Sequence, residues 1–404
     1  MSDIKLSICI PTFERARYLA TLLQALEQNV AEFPFACEII VSDNASSDET
    51  QSVVTEAESR LPLRYIRQSE NVGALRNIQA VMRAAKGTYA VYLADDDRLH
   101  SAGVISAIAL LDANPKASAL YAPWKVHDLV LDVENAPLYT QPKNVVIPRG
   151  NYAKLLTHVL DHKVFSEISI VRSEVVKRLN PQANDLAFWA FTVPCEYLGA
   201  GDLIYASDPF YVSVSRHFEG DNRAQLGHLE VQSAWDKYRG GLEYMFGLAR
   251  EHGGLKDIVA TEKGILRIVM ERMLVALRLR VKRGGDPVET YALAARLRGL
   301  GLVKALPIPM EQIRLAAAIK YICVTLPTML DAQGVAIIGD CPEATFEALG
   351  SIAGVPVRRV SCLEDIAHTD VVFNLGSSDD PLHTAAESQA LATLSEAELM
   401  QKFS

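Results

Sequence analysis

Tyr89-Ala90-Val91-Tyr92-Leu93-Ala94 runs without a break into Asp95-Asp96-Asp97. A short apolar run that follows a glycine and stops at charges reads as a strand buried on both faces. Upstream of it, Val72, Leu75, Ile78, Val81 and Ala85 recur at helical spacing, with Arg83 and Lys86 in the last turn and Gly87 just past it. Residues 63–67, 38–42 and 6–11 read as three more strands. A helix is expected over 14–28, where Tyr18, Leu19, Leu22, Leu23 and Leu26 share a face. Ser46-Ser47-Asp48-Glu49 has the spacing of a capping box, which predicts a helix start there. Strand and helix alternating in this way imply an α/β fold with a mainly parallel sheet covered by helices on both faces.

Downstream the rhythm loosens. Residues 101–114 and 185–200 read as helices, 118–124 and 165–171 as strands, 202–214 as extended chain, and 128–150 as a loop or short hairpin. From 229 to 330 helical periodicity dominates, broken by Gly284-Gly285 and by Leu306-Pro307-Ile308-Pro309. The tail returns to α/β, with strands expected over 335–339, 355–360 and 370–375 and a helix over 342–353. The predicted organisation is therefore a domain over 1–228, a helical region over 229–330 and a small α/β unit over 331–404.

In open α/β sheets, ligands bind beyond the carboxyl ends of the strands. Three adjacent carboxylates at such an end repel one another unless a cation or solvent compensates. A hard divalent cation with oxygen ligands, Mg²⁺ or Mn²⁺, is the natural occupant and would also hold substrate phosphates. The alternative is a solvated acidic turn.

Four stretches fall in order at strand ends: Ser7-Ile8-Cys9-Ile10-Pro11-Thr12-Phe13-Glu14-Arg15, Ile40-Val41-Ser42-Asp43-Asn44-Ala45-Ser46-Ser47-Asp48, Asn71-Val72-Gly73 with Arg76-Asn77, and Asp95-Asp96-Asp97. Together they make residues 6–220 resemble a family 2 glycosyltransferase with the GT-A fold, a Rossmann-like nucleotide-sugar-binding sheet. Asp43-Asn44-Ala45-Ser46 and Arg64-Tyr65-Ile66-Arg67 resemble the abequosyltransferase-like enzymes of O-antigen and surface polysaccharide synthesis. The resemblance implies that Pro11, Thr12 and Glu14 line a base and ribose pocket, that Asp96 meets the ribose, that Asp97 meets the metal, and that Asp95 shares either task. Asp43 would accept a hydrogen bond from a uracil-like base edge, or would act only as a cap or turn former. Gly73 would admit the nucleotide, or be an ordinary turn glycine. Arg76 would reach the diphosphate, or stay a solvated charge.

An inverting transfer also needs a base for the acceptor hydroxyl. By resemblance it stands at a helix start past the metal motif, where Asn184-Asp185-Leu186 offers Asp185; Asn184 replaces the Glu of the usual pair. Glu196 and Asp202 are the alternates, and a plain capping role for Asp185 is the bland one. Arg216 would contact phosphate and His217 the metal or diphosphate. Glu167 and Ser169 fall on the acceptor side.

The bulk numbers fit this picture. The chain has 404 residues, 49% of them hydrophobic, and a net charge of −9, which argues against a nucleic-acid partner. Six cysteines lie scattered without a CxxC pair, as expected of free thiols in a reducing compartment. The opening apolar run is too short for a signal peptide, and no stretch is long enough to span a bilayer. A cytoplasmic protein is expected. The helix over 265–282 carries Arg267, Arg272, Arg278, Arg280 and Lys282. It could rest peripherally on an anionic membrane, or be a bundle helix with a solvated face, and the helical region could join a homo-oligomer. The tail has Val335-Ala336-Ile337-Ile338-Gly339-Asp340 but no GxGxxG, so a structural or interaction role is expected there.

The expected activity is metal-dependent inverting transfer from a nucleotide-sugar, a uridine donor by default, to a saccharide or lipid-linked acceptor. A non-catalytic scaffold of the same fold and a sugar-nucleotide nucleotidyltransferase are the rivals. The second would carry a glycine-rich loop after the first strand, where this chain has Pro11-Thr12-Phe13-Glu14-Arg15.

Overall fold

Leu6, Ile8 and Ile10 face one side of the first strand and Ser7 and Cys9 the other, and all five are buried. A strand closed off on both faces belongs in the middle of a sheet. The computed structural model describes residues 4–401 except 138, 165–166, 180–185, 222–231, 234, 326–327, 329–330, 342, 376–379, 396–397 and 399–400. It divides into two units, Met1–Leu226 with Asp236–Val269, and Gly227–Trp235 with Met270–Ser404.

In the first unit, β1 (Leu6–Thr12), β2 (Cys37–Asp43), β3 (Leu63–Arg67) and β4 (Tyr89–Tyr92) alternate with α1 (Ala16–Glu32), α2 (Thr50–Ala57) and α3 (Ala74–Arg83). There follow β5 (Arg98–Leu99), α4 (Ser101–Ala113), β6 (Ala117–Tyr121), β7 (Trp124–Asp128), β8 (Val133–Asn135), β9 (Val145–Ile147) and α5 (Tyr152–His162). After these come β10 (Ser169–Arg172), α6 (Ser173–Arg178), α7 (Trp189–Ala200), β11 (Asp202–Tyr205), β12 (Tyr211–Arg216) and α8 (Trp235–His252). The unit boundary falls inside α9 (Ile258–Arg283).

The main sheet has eight strands in the order β3-β2-β1-β4-β10-β6-β11-β9. From β1 the chain winds outward through β2 to β3, then crosses back to lay β4 on the other side of β1. That reversal is a topological switch point, and it opens a crevice at the carboxyl ends of β1 and β4. The first four strands are parallel. β10 enters antiparallel between β4 and β6, and β9 antiparallel beside β11, so the sheet is mixed where a mainly parallel one was expected. The α1 residues Leu19, Leu22, Leu23 and Leu26 pack on Leu6, Ile8 and Ile10 in the core under the sheet. Burying each such leucine contributes roughly 1.5–3 kcal/mol. On the opposite face Gly87 lies so close that an added Cβ would sit 2.9 Å from the Ser7 backbone nitrogen. This lets the Gly87 N–H reach the Ser7 hydroxyl, which itself donates to Glu38.

Several predicted boundaries move. Helix α1 starts at Ala16 because Glu14 has φ 54°, outside the helical region. The capping box does not form. Helix α2 starts at Thr50, with Asp48 accepting from the Thr50 N–H and hydroxyl, and Ser46 is used elsewhere. The segment read as a loop or short hairpin holds the turn and second strand of the hairpin of β7 and β8, in which Asp128 faces Val133, and β9 follows. The extended stretch over 202–214 is two strands, β11 and β12, and β12 joins a second sheet of order β5-β12-β7-β8. The helix expected from 185 begins at Trp189, and Asp185 lies outside the described residues.

The second unit holds α10 (Pro287–Gly299), α11 (Met310–Thr325), β13 (Gly334–Ile338), α12 (Glu343–Ile352), β14 (Val357–Arg359), β15 (Asp370–Asn374), α13 (Pro381–Ala386) and β16 (Ala392–Ser395). Its four strands are all parallel, in the order β14-β13-β15-β16. Helices followed by a small α/β unit are what the sequence predicts; α13 and β16 add to it. Among the described residues no helix is long and apolar enough to cross a membrane.

Candidate functional site

Thr12 ends β1 and the acidic run follows β4, so the parallel pairing of these neighbours delivers both to the switch point. The Thr12 hydroxyl donates to Asp95 Oδ2 at 2.7 Å. Arg15, the residue before α1, donates to Asp95 Oδ1 at 3.3 Å and to Asp96 Oδ2 at 2.8 Å. Asp95 and Asp96 are only 5% and 8% exposed. Burial, and then the charge of Asp96, push the Asp95 carboxyl up, while Arg15 and Thr12 pull it back.

Asp97 is held by different groups. Arg98 and Leu99 pair with Val212 and Tyr211, so the strand directly after the acidic run draws β12 alongside it. The Tyr211 hydroxyl then donates to Asp97 Oδ2 and the Val214 N–H to Asp97 Oδ1, each at 2.7 Å. Burial, then Asp97, push the Tyr211 phenol far up, so it stays a proton donor. The chain leaving β12 returns His217 to the same place. Its Nε2 lies 2.7 Å from the Asp96 carbonyl, and since a carbonyl can only accept, Nε2 carries the proton. Tyr18 meets the His217 ring edge-on, and Asp221 accepts from both the Tyr18 hydroxyl and the His217 backbone N–H.

The structure thus gathers Thr12, Asp95, Asp96, Asp97 and His217 with Arg15, Tyr211 and Val214. Other predicted residues are used differently. Asp43 is fully buried; Oδ1 accepts from the Ser46 N–H, and Oδ2 accepts from the Tyr65 hydroxyl and Arg67. These bonds are of the kind the turn-forming alternative calls for. Glu14 accepts from the Ser47 N–H and hydroxyl, tying the end of β1 to the loop after β2, and Pro11 lies beside Ser42. Gly73 has φ 85° and ψ 155° with open space where a Cβ would stand, so its requirement is conformational. Arg76 is exposed on α3. Arg216 is paired with Asp128 at 2.7 Å rather than with the acidic run.

The base candidates separate by topology. Asp202 starts β11, which runs parallel to β6, so it lies at the sheet edge opposite the acidic run, where it accepts from the Arg149 N–H. Glu196 lies two turns into α7, half-buried, with burial raising its carboxyl. Glu167 precedes β10 at the acidic-run edge. After burial, its charge leads those of Asp95, Asp97 and Asp96 in pushing the Tyr92 phenol up. Asp185 lies outside the described residues, but the chain just after it is firmly seated. The Phe188 N–H donates to the Lys237 carbonyl, and the Phe188 ring stacks on Tyr238 of α8.

A divalent cation suits this donor set. Asp97 is half-buried and receives the neutral Tyr211 hydroxyl and Val214 N–H, and carboxylate oxygens are the ligands a hard ion takes. Among the described residues no group of three or more His, Cys, Asp or Glu side chains could by itself hold an ion. Water or substrate phosphate would complete the coordination. Arg15 has no assigned role in the sequence alone, although charge balance beside three aspartates points to a cation there. Tyr211 and Val214 carried no sequence signal.

Residues 7–164 match the family described as Glycosyl transferase family 2. The chain is 38% identical over 96 residues to the abequosyltransferase RfbV of Salmonella typhimurium, covering 23% of this chain and 28% of that protein. It is 35% identical over 126 residues to a chondroitin synthase of Escherichia coli, covering 30% of this chain and 18% of that one. Most of each relative therefore lies outside the match. The crystal structure of TarS residues 1–349 from S. aureus aligns with a TM-score of 0.48 at 17% identity, over 78% of this chain and 84% of that one. The stretch from β1 through α5, with the acidic run at the end of β4, is a family 2 glycosyl transferase domain.

Proposed function

We propose that this chain transfers a sugar, with inversion, from a nucleotide-sugar to a saccharide or lipid-linked acceptor in the synthesis of a surface polysaccharide or glycoconjugate. The reading is of a GT-A-type donor site with a uridine nucleotide as default and Mn²⁺ or Mg²⁺ as cofactor. One observation carries it: at the switch point of the sheet, Thr12 of β1, Arg15 just before α1, and Tyr211 and Val214 of β12 all converge on Asp95-Asp96-Asp97. A bound divalent ion would offset the negative charge growing on the departing diphosphate. Asp97 would hold it, with Asp95 and His217 beside it. The acceptor oxygen attacks the anomeric carbon, the bond to the diphosphate breaks, and the acceptor proton passes to Asp185. Catalysis is assigned to residues 1–228, and structural or interaction roles to 229–330 and 331–404.

Calorimetric titration with UDP, CDP, dTDP and GDP, with and without Mn²⁺, tests the donor site. Binding of one nucleotide that needs Mn²⁺ and is lost in Asp97→Ala is the expected result. Asp185→Asn should keep that binding and lose turnover. No binding by the parent protein under any condition would favour the scaffold, and transfer at the parental rate by Asp185→Asn would remove Asp185 as the base.

A further inference from the structure

The acidic run sets three carboxylates side by side, and different groups meet them. The Arg15 guanidinium bridges Asp95 and Asp96, while Asp97 receives the neutral Tyr211 hydroxyl and Val214 N–H. Arg15 therefore stands where an incoming cation would be drawn, on two carboxylates whose side chains are 7% and 10% exposed. Its own side chain is 25% exposed and lies against the Tyr18 ring in the first turn of α1, with Cζ 6.0 Å from the ring centroid.

A unit positive charge about 5 Å from a divalent ion disfavours that ion by more than about tenfold even at the dielectric of water, and by more inside a crevice. A bare cation thus meets a site whose attraction is partly cancelled. A cation that arrives with a nucleoside diphosphate meets a different balance. The diphosphate supplies new anionic oxygens, and guanidinium matches phosphate at least as well as it matches carboxylate.

We propose that Arg15 is the resident counter-ion of the donor site: it holds Asp95 and Asp96 while the site is empty, keeps a bare divalent cation out, and turns to the diphosphate when cation and nucleotide enter together. The inference rests on the donor-site reading above and names the residue that makes metal and nucleotide binding interdependent. It assigns Arg15 a binding role, distinct from that of Asp97.

The test measures Mn²⁺ alone by calorimetry on the full chain, and then UDP, CDP, dTDP and GDP at saturating Mn²⁺, for the parent, Arg15→Met and Arg15→Gln. The parent should bind Mn²⁺ at least about tenfold more tightly with nucleotide than without. Arg15→Met and Arg15→Gln should bind Mn²⁺ alone at least about tenfold more tightly than the parent, and nucleotide about tenfold more weakly. Either substitution binding Mn²⁺ no more tightly than the parent overturns the proposal. Should neither variant fold, a parent that binds Mn²⁺ equally with and without nucleotide overturns it. A parent that binds no nucleotide at all, while the variants gain Mn²⁺ affinity, would instead sink the donor-site reading and leave the counter-ion role standing.

Discussion

Tyr211→Phe removes one oxygen atom from the centre of the site and keeps the ring. In the parent that oxygen donates to Asp97 Oδ2 at 2.7 Å and lies 3.4 Å from the Ala94 backbone nitrogen, which donates to it. A hydrogen bond to a charged group contributes about 1.5–3 kcal/mol to stability. Asp97 is only half-buried, so water can replace part of the lost bond, which brings the expected cost to about 1–2 kcal/mol. The Val214 N–H still holds Oδ1, so the carboxylate should rotate about that bond rather than leave the site. Urea unfolding followed by tryptophan fluorescence suits the measurement, because the Trp124 ring lies 5.5 Å from the Tyr211 ring. The midpoint should fall with the slope unchanged, the mark of a stability effect without a change in the exposed surface. Mn²⁺ affinity in the presence of nucleotide should fall with it, since a loosened carboxylate must be re-ordered by the ion. A Tyr211→Phe protein within about 0.5 kcal/mol of the parent, with unchanged Mn²⁺ affinity, would refute the idea that this hydroxyl orients Asp97.

Other perturbations reach different parts of the first unit. Gly73→Ala should lower stability by about 1–3 kcal/mol through backbone strain alone, and Gly73→Asn should be no milder, since φ 85° with ψ 155° suits only glycine; an alanine variant as stable as the parent in urea would contradict this. His158 is 7% exposed, and burial, followed by His162 and Lys154, lowers its imidazole to about 4 from 6.5. Its folded form therefore resists a proton that the unfolded chain accepts, so stability is lost as pH falls from about 6.5 to about 4. His158→Gln should flatten the stability profile over that interval, and an equally steep profile would show that other groups cause the loss. Gly240→Ala would place a Cβ 1.8 Å from the Leu186 carbonyl oxygen, forcing α8 away from the segment that follows Asp185. Turnover should fall at least about tenfold while nucleotide affinity stays within about threefold; equal losses in both would mean that the damage is global.

Much of the first unit was legible because its strands are buried on both faces and its helices carry a regular apolar stripe. Residues 89–94 announced β4, and Leu19, Leu22, Leu23 and Leu26 announced α1, since burial and period agree in both. The parts that were missed depend on partners distant in sequence. Nothing local marks β5, a two-residue strand that exists only because β12 pairs with it more than a hundred residues later. The Ser46–Glu49 spacing failed for a similar reason. The Ser46 hydroxyl accepts from the Glu14 N–H and its N–H donates to Asp43, so tertiary bonds outcompeted the local cap.

The site shows the same division. Asp95-Asp96-Asp97 could be read as a ligand-bearing strand end because its chemistry is contiguous, but what each aspartate meets could not. Three adjacent carboxylates demand positive charge, and the sequence suggested a metal ion as its source. The structure supplies a second source from the chain itself, Arg15, three residues beyond the Thr12 that also binds Asp95. Arg15 is close in sequence to the predicted binding residues Pro11, Thr12 and Glu14, yet its role emerges only when the end of β1 is laid beside the end of β4. The same crossing explains Asp43, whose place at a strand end suggested base recognition. Its parallel neighbour β3 brings Tyr65 and Arg67 onto its carboxylate, and Arg67 also reaches the Ser46 carbonyl in the loop that follows. At the switch point, by contrast, Asp97 meets the Tyr211 hydroxyl and the Val214 N–H and stays half-buried rather than fully enclosed as Asp43 is.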